Sequence, residues 1–514
     1  MVASDATVLG SSDNLSPTDP ASTAPTDPRR WLVLAVLGLA QLMVVLDSTI
    51  VNIALPHAQR ALGFSLADRQ WVVTAYSLAF GGLLLLGGRL SDLVGRKRTF
   101  VIGLVGFAAA SGIGGLAQNF GMLIGARAVQ GAFGALLAPS ALSLLTTTFS
   151  DPDERGKAFG IFGAIAGGGG AIGLLLGGLL TQDESWRWCL YVNVGIALVA
   201  LAGALLLLHN QPRRTDVRLD IPGTLAAVAG LASLVYGLSE AATDGWSSPL
   251  TIGLLVGAAV LLTTFVLIER RVAHPLLPLR IVLHRSRGAS YLAIGLTAIG
   301  VFGVFLFLTY YLQTILGYSP IRTGLAFLPM VAALVLASTT STALLLPRFG
   351  PRILVMVGMV LAAGGMLLFT RFTVSTSYLT GIIPGLILAG LGVGMVFGTA
   401  INTATAHASQ ADAGVASAMV NTGQQIGGSV GTALLNTIAA SATTAYLATH
   451  APSHAHVLEA SVHGDVRAFT VVVGILLGAA VLCGIVYPGG RPARPARASE
   501  AAAEGADADP AVVG

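Results

Sequence analysis

Residues 31–56 read WLVLAVLGLAQLMVVLDSTIVNIALP and contain a single ionisable side chain, Asp47. An apolar run of about 20 residues is long enough to cross a hydrocarbon core of about 30 Å as a helix. A charge at the centre of such a helix costs at least about 2.5–3.5 kcal/mol, so it is expected to face a cavity or a polar partner rather than lipid. The stretch therefore predicts a membrane-spanning helix that carries a functional carboxylate.

The chain as a whole has the composition of a membrane protein. Of its 514 residues, 54% are hydrophobic and 10% are charged, whereas a typical soluble domain has about 25% charged residues. The net charge of +4 resides in short loops, where membrane topology requires it, so we expect no nucleic-acid partner. The two cysteines, Cys189 and Cys483, lie in apolar runs, which argues against a disulfide or a Cys-based metal site.

Apolar runs separated by charged residues, Pro or Gly predict an all-α membrane protein with fourteen membrane-spanning helices. The polar segment before the first run and the segment after the last run are predicted to be disordered. The predicted spans are 31–55, 71–90, 99–117, 120–148, 157–181, 187–208, 221–240, 250–268, 289–315, 323–346, 353–370, 378–403, 413–440 and 467–487.

The distribution of Lys and Arg predicts the orientation of these spans. An even number of spans puts both termini on the same side of the membrane. With the N terminus inside, 21 of the 28 Lys and Arg residues fall in inner segments and six in outer segments, while Arg127 lies within a span. Because positively charged loops stay inside, we expect a multi-pass protein of the bacterial cytoplasmic membrane with both termini in the cytoplasm.

Glycine patterns indicate an internal repeat. In the fifth and the thirteenth predicted spans glycine recurs every fourth residue, which makes a flat stripe on which another helix can pack closely. Such stripes also occur in unrelated helix bundles, so alone they leave the repeat open. Two six-helix bundles interrupted by two inserted helices would enclose a transport cavity between them. The stripes are Gly169, Gly173 and Gly177, and Gly423, Gly427 and Gly431.

The predicted organisation has five parts, and we expect the protein to be a monomer. The parts are a cytoplasmic tail, 1–30; an N-terminal six-helix bundle, 31–208; two inserted helices and a cytoplasmic loop, 209–288; a C-terminal six-helix bundle, 289–488; and a second cytoplasmic tail, 489–514.

Asp47 and Arg127 are the residues that we expect to carry the chemistry. At about 1.5 Å per residue, Asp47 lies about 10 Å and Arg127 about 12 Å below the outer surface. At similar depth, desolvation and a neighbouring positive charge act on the carboxyl group in opposite directions, so a change of geometry could switch proton uptake and release. The alternative is a static pair that only holds helices together.

The segment GGRLSDLVGRKR at residues 87–98 predicts a very short inner loop. Its acid and its cations can bind neighbouring helix ends and could latch the two bundles when the inner side is closed. The same charges could merely fix the orientation of the helices. The residues assigned to this gating loop are Gly88, Asp92, Gly95, Arg96, Lys97 and Arg98.

Several other classes of function find no support in the sequence. The phosphate-binding pattern GxxxxGK[ST] cannot be written with Lys97 and Lys157 as the only lysines, so transport must be secondary. The histidines at 450–463 share no spacing with an acid or a Cys, so no metal site is predicted. No soluble segment carries a catalytic arrangement of residues. We therefore expect neither an enzyme nor a bound cofactor.

Several motifs, taken in order, resemble the major facilitator superfamily, and specifically its fourteen-span drug:proton antiporters. They are LDSTIVNIALP at 46–56, the loop at 88–98, GARAVQG at 125–131, TGLAFLP at 323–329, and AGVAS at 413–417 with the stripe that begins at Gly423. The resemblance covers nearly the whole chain outside the tails. It implies a major facilitator fold of two six-helix bundles plus two extra helices, and proton-driven export of amphipathic drugs or antibiotics by alternating access.

The resemblance also implies roles for particular residues. Asp47 would be a proton-linked carboxylate and Arg127 its electrostatic modulator, with Asn52 and Gln130 as candidates for contact with the substrate. Where the fifth-span antiporter signature of the family has Pro, this chain has Leu174, so glycines would have to supply the bend. The alternative function is proton-coupled transport of a specific metabolite or nutrient, which predicts a more polar cavity. The glycines retained from that signature are Gly173, Gly177 and Gly178.

Overall fold

The computed structural model describes residues 29–65, 68–149, 151–209, 220–241, 244–272, 275–277, 279–405, 413–450 and 453–488. Almost all of the two predicted tails and the segment 210–219 lie outside these ranges. Over the described residues the chain is α-helical, with short π-helical turns and no β-strand. The prediction of an all-α fold is confirmed.

The first half of the chain forms six long helices, and a pair of helices with a short helical turn follows. The six helices are α1 (Arg30–Leu62), α2 (Gln70–Val94), α3 (Arg96–Gly115), α4 (Phe120–Thr148), α5 (Pro152–Asp183) and α6 (Trp188–Leu207). The pair and the turn are α7 (Ile221–Glu240), α8 (Pro249–Arg271) and α9 (Leu279–Val282). α7 packs on α8 and on α2.

The second half forms a similar set of long helices, three of which include a π-helical turn. Its helices are α10 (Arg285–Tyr310), α11 (Pro320–Ala326), α12 (Leu328–Thr340), α13 (Leu346–Phe369), α14 (Ile383–Thr405), α15 (Ala413–Thr449) and α16 (His454–Val486). The π-helical turns follow α10 at Tyr311–Ile315, follow α12 at Ser341–Leu345 and precede α14 at Tyr378–Ile382.

The helices account for the fourteen predicted spans. Among the described residues, 11 helical stretches are long and apolar enough to cross a membrane. One of them, Pro320–Phe369, has 50 residues and contains two predicted spans, which are separated where Gly350 interrupts the helix with a φ of 75°. Outside those stretches, α5 and α15 are helices of 32 and 37 residues that occupy the fifth and the thirteenth predicted spans.

Two predicted boundaries are wrong. The first helix does not end at residue 55, because it continues through Pro56 to Leu62 and stops at Gly63, whose φ is 70°. The outer loop between the predicted spans 413–440 and 467–487 is mostly helix, since α15 continues to Thr449 and α16 begins at His454. Hydropathy marks only the apolar part of a helix, whereas Ala-rich polar segments continue the helix beyond it.

The two halves, α1–α6 and α10–α16, contact each other mainly through α5 on α11 and through α2 on α15. We distinguish the two ends of the helix bundle by which helix ends lie there. The terminal end is where α1 begins and α16 ends, and the distal end is where α1 ends at Leu62 and α2 begins at Gln70.

The halves touch main chain to main chain at the distal end. Gly178 of α5 lies directly against the main chain of Ile321 at the start of α11. Gly324 of α11 lies against the carbonyl group of Leu174. A side chain at either glycine would push the helices apart, so these positions form a close seam between the halves.

The glycine stripes pack equivalent helices in the two halves. In the first half the stripe of α5 lies on α1, where Thr49 occupies the space beside Gly173. In the second half the stripe of α15 lies on α10, where Gly427 lies against the main chain of Gly295. In both halves the fifth long helix thus packs on the first, as an internal repeat predicts.

The stripe of α15 provides a test of this packing. We expect Gly427→Val to lower the free energy of unfolding by about 1–3 kcal/mol, because the new side chain has no space beside Gly295. Gly478→Val is a matched control, since a Cβ at Gly478 of α16 meets nothing within 4 Å. The two variants are compared by thermal unfolding in detergent, and equal melting temperatures would contradict the packing described here.

Candidate functional site

Asp47 and Arg127 form a buried ion pair in the first half. Asp47 lies in α1 and Arg127 in α4, and both are almost completely buried, with exposures of 0% and 1%. Arg127 Nη1 donates to Asp47 Oδ2 at 2.7 Å. The two residues that hydropathy singled out separately are therefore direct partners.

The second oxygen of Asp47 accepts hydrogen bonds from two amides. Gln130 Nε2 donates to Asp47 Oδ1 at 2.8 Å, and Asn193 Nδ2 of α6 donates to the same oxygen at 2.7 Å. Gln130 and Asn193 also donate to Ser111 Oγ of α3 at 2.6 Å and 3.2 Å. One carboxylate thus connects α1, α3, α4 and α6.

Arg127 has further partners in α4 and α2. Its Nη1 donates to Gln130 Oε1 at 2.6 Å, and its Nε donates to the carbonyl oxygen of Val72 at 3.1 Å. The guanidinium carbon lies 4.3 Å from the centre of the Tyr76 ring, an arrangement that favours a cation. The Tyr76 hydroxyl is buried without a hydrogen-bond partner among the described residues.

This arrangement surrounds the charge of Asp47 with donors from neighbouring helices. In the ionised state its carboxylate accepts three hydrogen bonds from charged and amide donors. A proton on the carboxyl group removes the countercharge of Arg127, and an unpaired buried charge is strongly unfavourable. Each member of the pair is therefore the countercharge that keeps the other stable inside the bundle.

A narrow apolar pocket lies next to this network. Its lining includes Arg127 and Val72, and it continues to Trp186 and Cys189 near the distal ends of α5 and α6. Its walls are apolar, so Arg127 is the charged group that faces it.

Asn52 lies outside the network. It is buried on α1, and its Nδ2 donates to the carbonyl oxygen of Ser48 in the same helix at 3.0 Å. Gln130, the other polar residue singled out from the sequence, has its amide engaged by Asp47, Arg127 and Ser111.

The gating loop forms a tight turn between two helices. Gly95 has a φ of 101°, a conformation that glycine adopts readily, and it separates α2 from α3. Lys97 Nζ donates to the carbonyl oxygens of Leu205 at 3.2 Å and Leu208 at 2.5 Å, at the C-terminal end of α6. A cation at this end of a helix interacts favourably with the helix dipole. These contacts stay within the first half.

The remaining gating residues have diverse environments. Arg98 is exposed, and Arg96 is partly buried. Gly88 faces Pro139 of α4 at an ordinary contact distance. The side chain of Asp92 lies outside the described part of the chain, so its predicted contact is not tested.

The signature glycines of α5 contact two different helices. Gly173 and Gly177 face α1, and Gly178 faces the start of α11 in the other half. Leu174, which stands where the family signature has Pro, is completely buried at the same seam.

Comparison with known proteins agrees with this architecture. A family model described as Major Facilitator Superfamily matches residues 37–432. The chain belongs to this superfamily. The family resemblance of its motifs is therefore confirmed. The chain is a multi-pass membrane protein of a transporter family.

Two curated members of the superfamily are similar over most of their length. The chain is 52% identical over 472 residues to the puromycin resistance protein pur8 of Streptomyces alboniger, covering 91% of this chain and 94% of that protein. It is 39% identical over 439 residues to the cephamycin export protein CmcT of Amycolatopsis lactamdurans, covering 84% of this chain and 89% of that protein.

A solved structure supports the superfamily fold independently. The bacterial homolog of the human lysosomal transporter Spinster, in an inward-facing and unoccupied conformation, aligns with a TM-score of 0.63. The alignment covers 90% of this chain and 97% of that chain at 18% sequence identity. At this identity the likeness shows the fold alone.

Sequence reasoning missed three members of the network, Ser111, Asn193 and Tyr76. Ser111 and Asn193 are single polar residues within apolar runs, and this is the sequence feature that could have identified them. Such residues in membrane helices usually hydrogen-bond to another helix, but the sequence alone does not show which one.

Removal of one partner of the buried pair tests its energetics. We expect Asp47→Asn to lower the free energy of unfolding by about 3–5 kcal/mol, because Arg127 is left as an uncompensated buried charge. The double variant Asp47→Asn/Arg127→Gln should recover part of this loss, which chemical or thermal unfolding in detergent measures.

A partly exposed ion pair of the same protein is the matched control. Arg30 Nη2 and Glu154 Oε1 lie 2.6 Å apart, and their side chains are 18% and 26% exposed. Glu154→Gln should cost no more than about 1 kcal/mol. A similar cost for both single variants would contradict a special role of burial at Asp47.

Proposed function

We propose that this protein exports antibiotic-class, amphipathic small molecules from the cell by alternating access, and that inward movement of protons drives the export. The observation that carries the proposal is the ion pair of Asp47 and Arg127, buried away from solvent within the first half. The similarity to a puromycin resistance protein and to a cephamycin export protein supports the substrate class.

The geometry supports a mechanism in which the proton replaces Arg127 as the countercharge of Asp47. In the ionised state the carboxylate holds Arg127 through Nη1. When Asp47 takes up a proton, Arg127 keeps its bonds to Val72 and Gln130 and loses its ionic partner. The network ties α1, α2, α4 and α6 together, so this loss is transmitted to the packing of the first half.

The driving force is sufficient for a secondary transporter. One proton that moves inward across about 100 mV releases about 2.3 kcal/mol, and every 1.4 kcal/mol corresponds to about a tenfold gradient. Coupling requires that Asp47 exchange protons with one side at a time. The closed seam at Gly178 and Gly324 supports such a one-sided conformation.

The proposal includes an orientation and an organisation. We assign the terminal end to the cytoplasm and the distal end to the outside of the bacterial cytoplasmic membrane, on the strength of the Lys and Arg distribution. The two bundles would be 31–208 and 289–488, with the inserted helices between them. A single chain carries both halves of the seam, which supports a monomer as the transport unit.

The gating loop is assigned to the closure of the terminal end. In this conformation Lys97 binds the end of α6. We assign Asp92 and the cations Arg96, Lys97 and Arg98 to a latch that engages the second half when the terminal end closes, with Gly88 and Gly95 shaping the turn. Asn52 is assigned to substrate contact, whereas the engagement of Gln130 assigns that residue to the proton network.

Drug accumulation tests the proposal most directly. Cells that express the wild-type protein should accumulate less puromycin than cells without it, whereas Asp47→Asn and Arg127→Ala should accumulate it to the level of cells without the protein. In everted vesicles that contain the wild-type protein, addition of the drug should dissipate a preformed pH gradient. Vesicles that contain either variant should keep the gradient.

The matched control is Asp183→Asn, because Asp183 is an exposed acid at the end of α5. It should retain wild-type accumulation. Unchanged accumulation in Asp47→Asn and Arg127→Ala, at equal amounts of protein in the membrane, would refute the assigned coupling site. If cells with the wild-type protein accumulate every tested antibiotic to the level of cells without it, a metabolite would be favoured as the substrate.

A further inference from the structure

A second buried arginine connects the two halves at the distal end. Arg69 directly precedes α2, yet it is only 6% exposed. Its Nε donates to Asn436 Oδ1 of α15 at 3.1 Å, so a side chain of the first half ends inside the second half. Arg69 was assigned to an outer loop on the sequence alone, and hydropathy gives no reason to expect its burial.

Aromatic rings of α10 surround the same guanidinium group. The guanidinium carbon of Arg69 lies 4.3 Å from the centre of the Tyr310 ring and 5.4 Å from that of Phe307. Both rings are buried. Cations over aromatic faces are stabilised most when they are removed from water, so the site is built to hold a positive charge.

A buried acid of the second half lies in the same region. Asp465 of α16 is only 7% exposed. It lies one helical turn before Phe469, whose ring centre lies 6.0 Å from that of Phe307. The adjacent residue, Gly464, lies against Ala439 of α15, one turn beyond Asn436. Arg69 and Asp465 are thus linked through the contacting rings of Phe307 and Phe469, although no direct ion pair joins them within 4.0 Å.

Other polar contacts join the halves at the same place. The Tyr310 hydroxyl donates to Gln59 Oε1 of α1 at 2.6 Å. Gln313 Nε2 of the π-helical turn after α10 donates to the carbonyl oxygen of Ile53 at 3.0 Å. The ends of α1, α2, α10, α15 and α16 therefore meet around the guanidinium group of Arg69.

We propose that Arg69 and Asp465 form an electrostatic lock that holds the distal end closed. The cation belongs to one half and the acid to the other, so the distal end cannot open without separating them. Separation also breaks the hydrogen bond of Arg69 to Asn436 and its contact with the Tyr310 ring, so the loss of these interactions penalises the open state. The inference rests on the alternation of access in the proposed function, but it requires neither a particular substrate nor Asp47.

Cysteine labelling measures the opening of the distal end without transport. In a background of Cys189→Ala and Cys483→Ala, Leu174→Cys places a thiol at the buried seam between α5 and α11. We expect Arg69→Ala and Asp465→Asn each to increase the rate of maleimide labelling of this thiol in purified protein by about tenfold, which corresponds to about 1.4 kcal/mol. The double variant should label no faster than the faster single variant, because one lock is broken only once.

Two controls separate opening from unfolding. Arg60→Ala removes an exposed arginine of the same end that binds its own helix, and it should leave the labelling rate unchanged. A thiol at Ala362→Cys, buried within the second half, should stay unlabelled in every variant. Labelling at the seam that does not change, or effects that multiply in the double variant, would overturn the lock. If drug export fails, the labelling rates still test the lock, because labelling does not depend on transport.

Discussion

The structure depends on the requirement that an ionised carboxylate inside a membrane bundle be surrounded by donors. Asp47 meets it with Arg127, Gln130 and Asn193, which come from α4 and α6. None of these donors belongs to α1, so the carboxylate ties α1 to the helices that supply them. The same residue that threatens the stability of its helix thereby specifies the packing of its neighbours.

A second buried charge, the guanidinium group of Arg69, lies in a different place and is held by an acceptor and by aromatic rings. The Asp47 site lies within one half, whereas Arg69 crosses from one half to the other and reaches Asn436 and the ring of Tyr310. An internal site can respond to a proton while the halves stay together. A site that crosses the interface responds to the separation of the halves. In our proposals the first site serves the proton and the second serves the gate.

The sequence predicted the fold well because hydropathy and Gly spacing act locally. Burial of Asp47 and Arg127 followed from the cost of charge in hydrocarbon, and the stripe at Gly427 followed from its period. Asn193 escaped prediction because one amide hardly lowers the mean hydropathy of its run. Arg69 escaped because a loop arginine is normally solvated, and only the tertiary structure reveals that a neighbouring half covers it. The helical ends near Leu62 and His454 escaped because helix formation extends beyond the apolar segment.

The seam of Gly178 and Gly324 has a consequence for the energetics of switching. Where main chain meets main chain, few rotatable side chains are immobilised when the interface forms, and immobilising a long side chain costs up to about 1.5–2 kcal/mol each. At the seam itself, opening and closing therefore exchange little side-chain conformational entropy. The free-energy difference between the open and closed states then depends mainly on the polar contacts that surround the seam, such as that of Arg69 with Asn436.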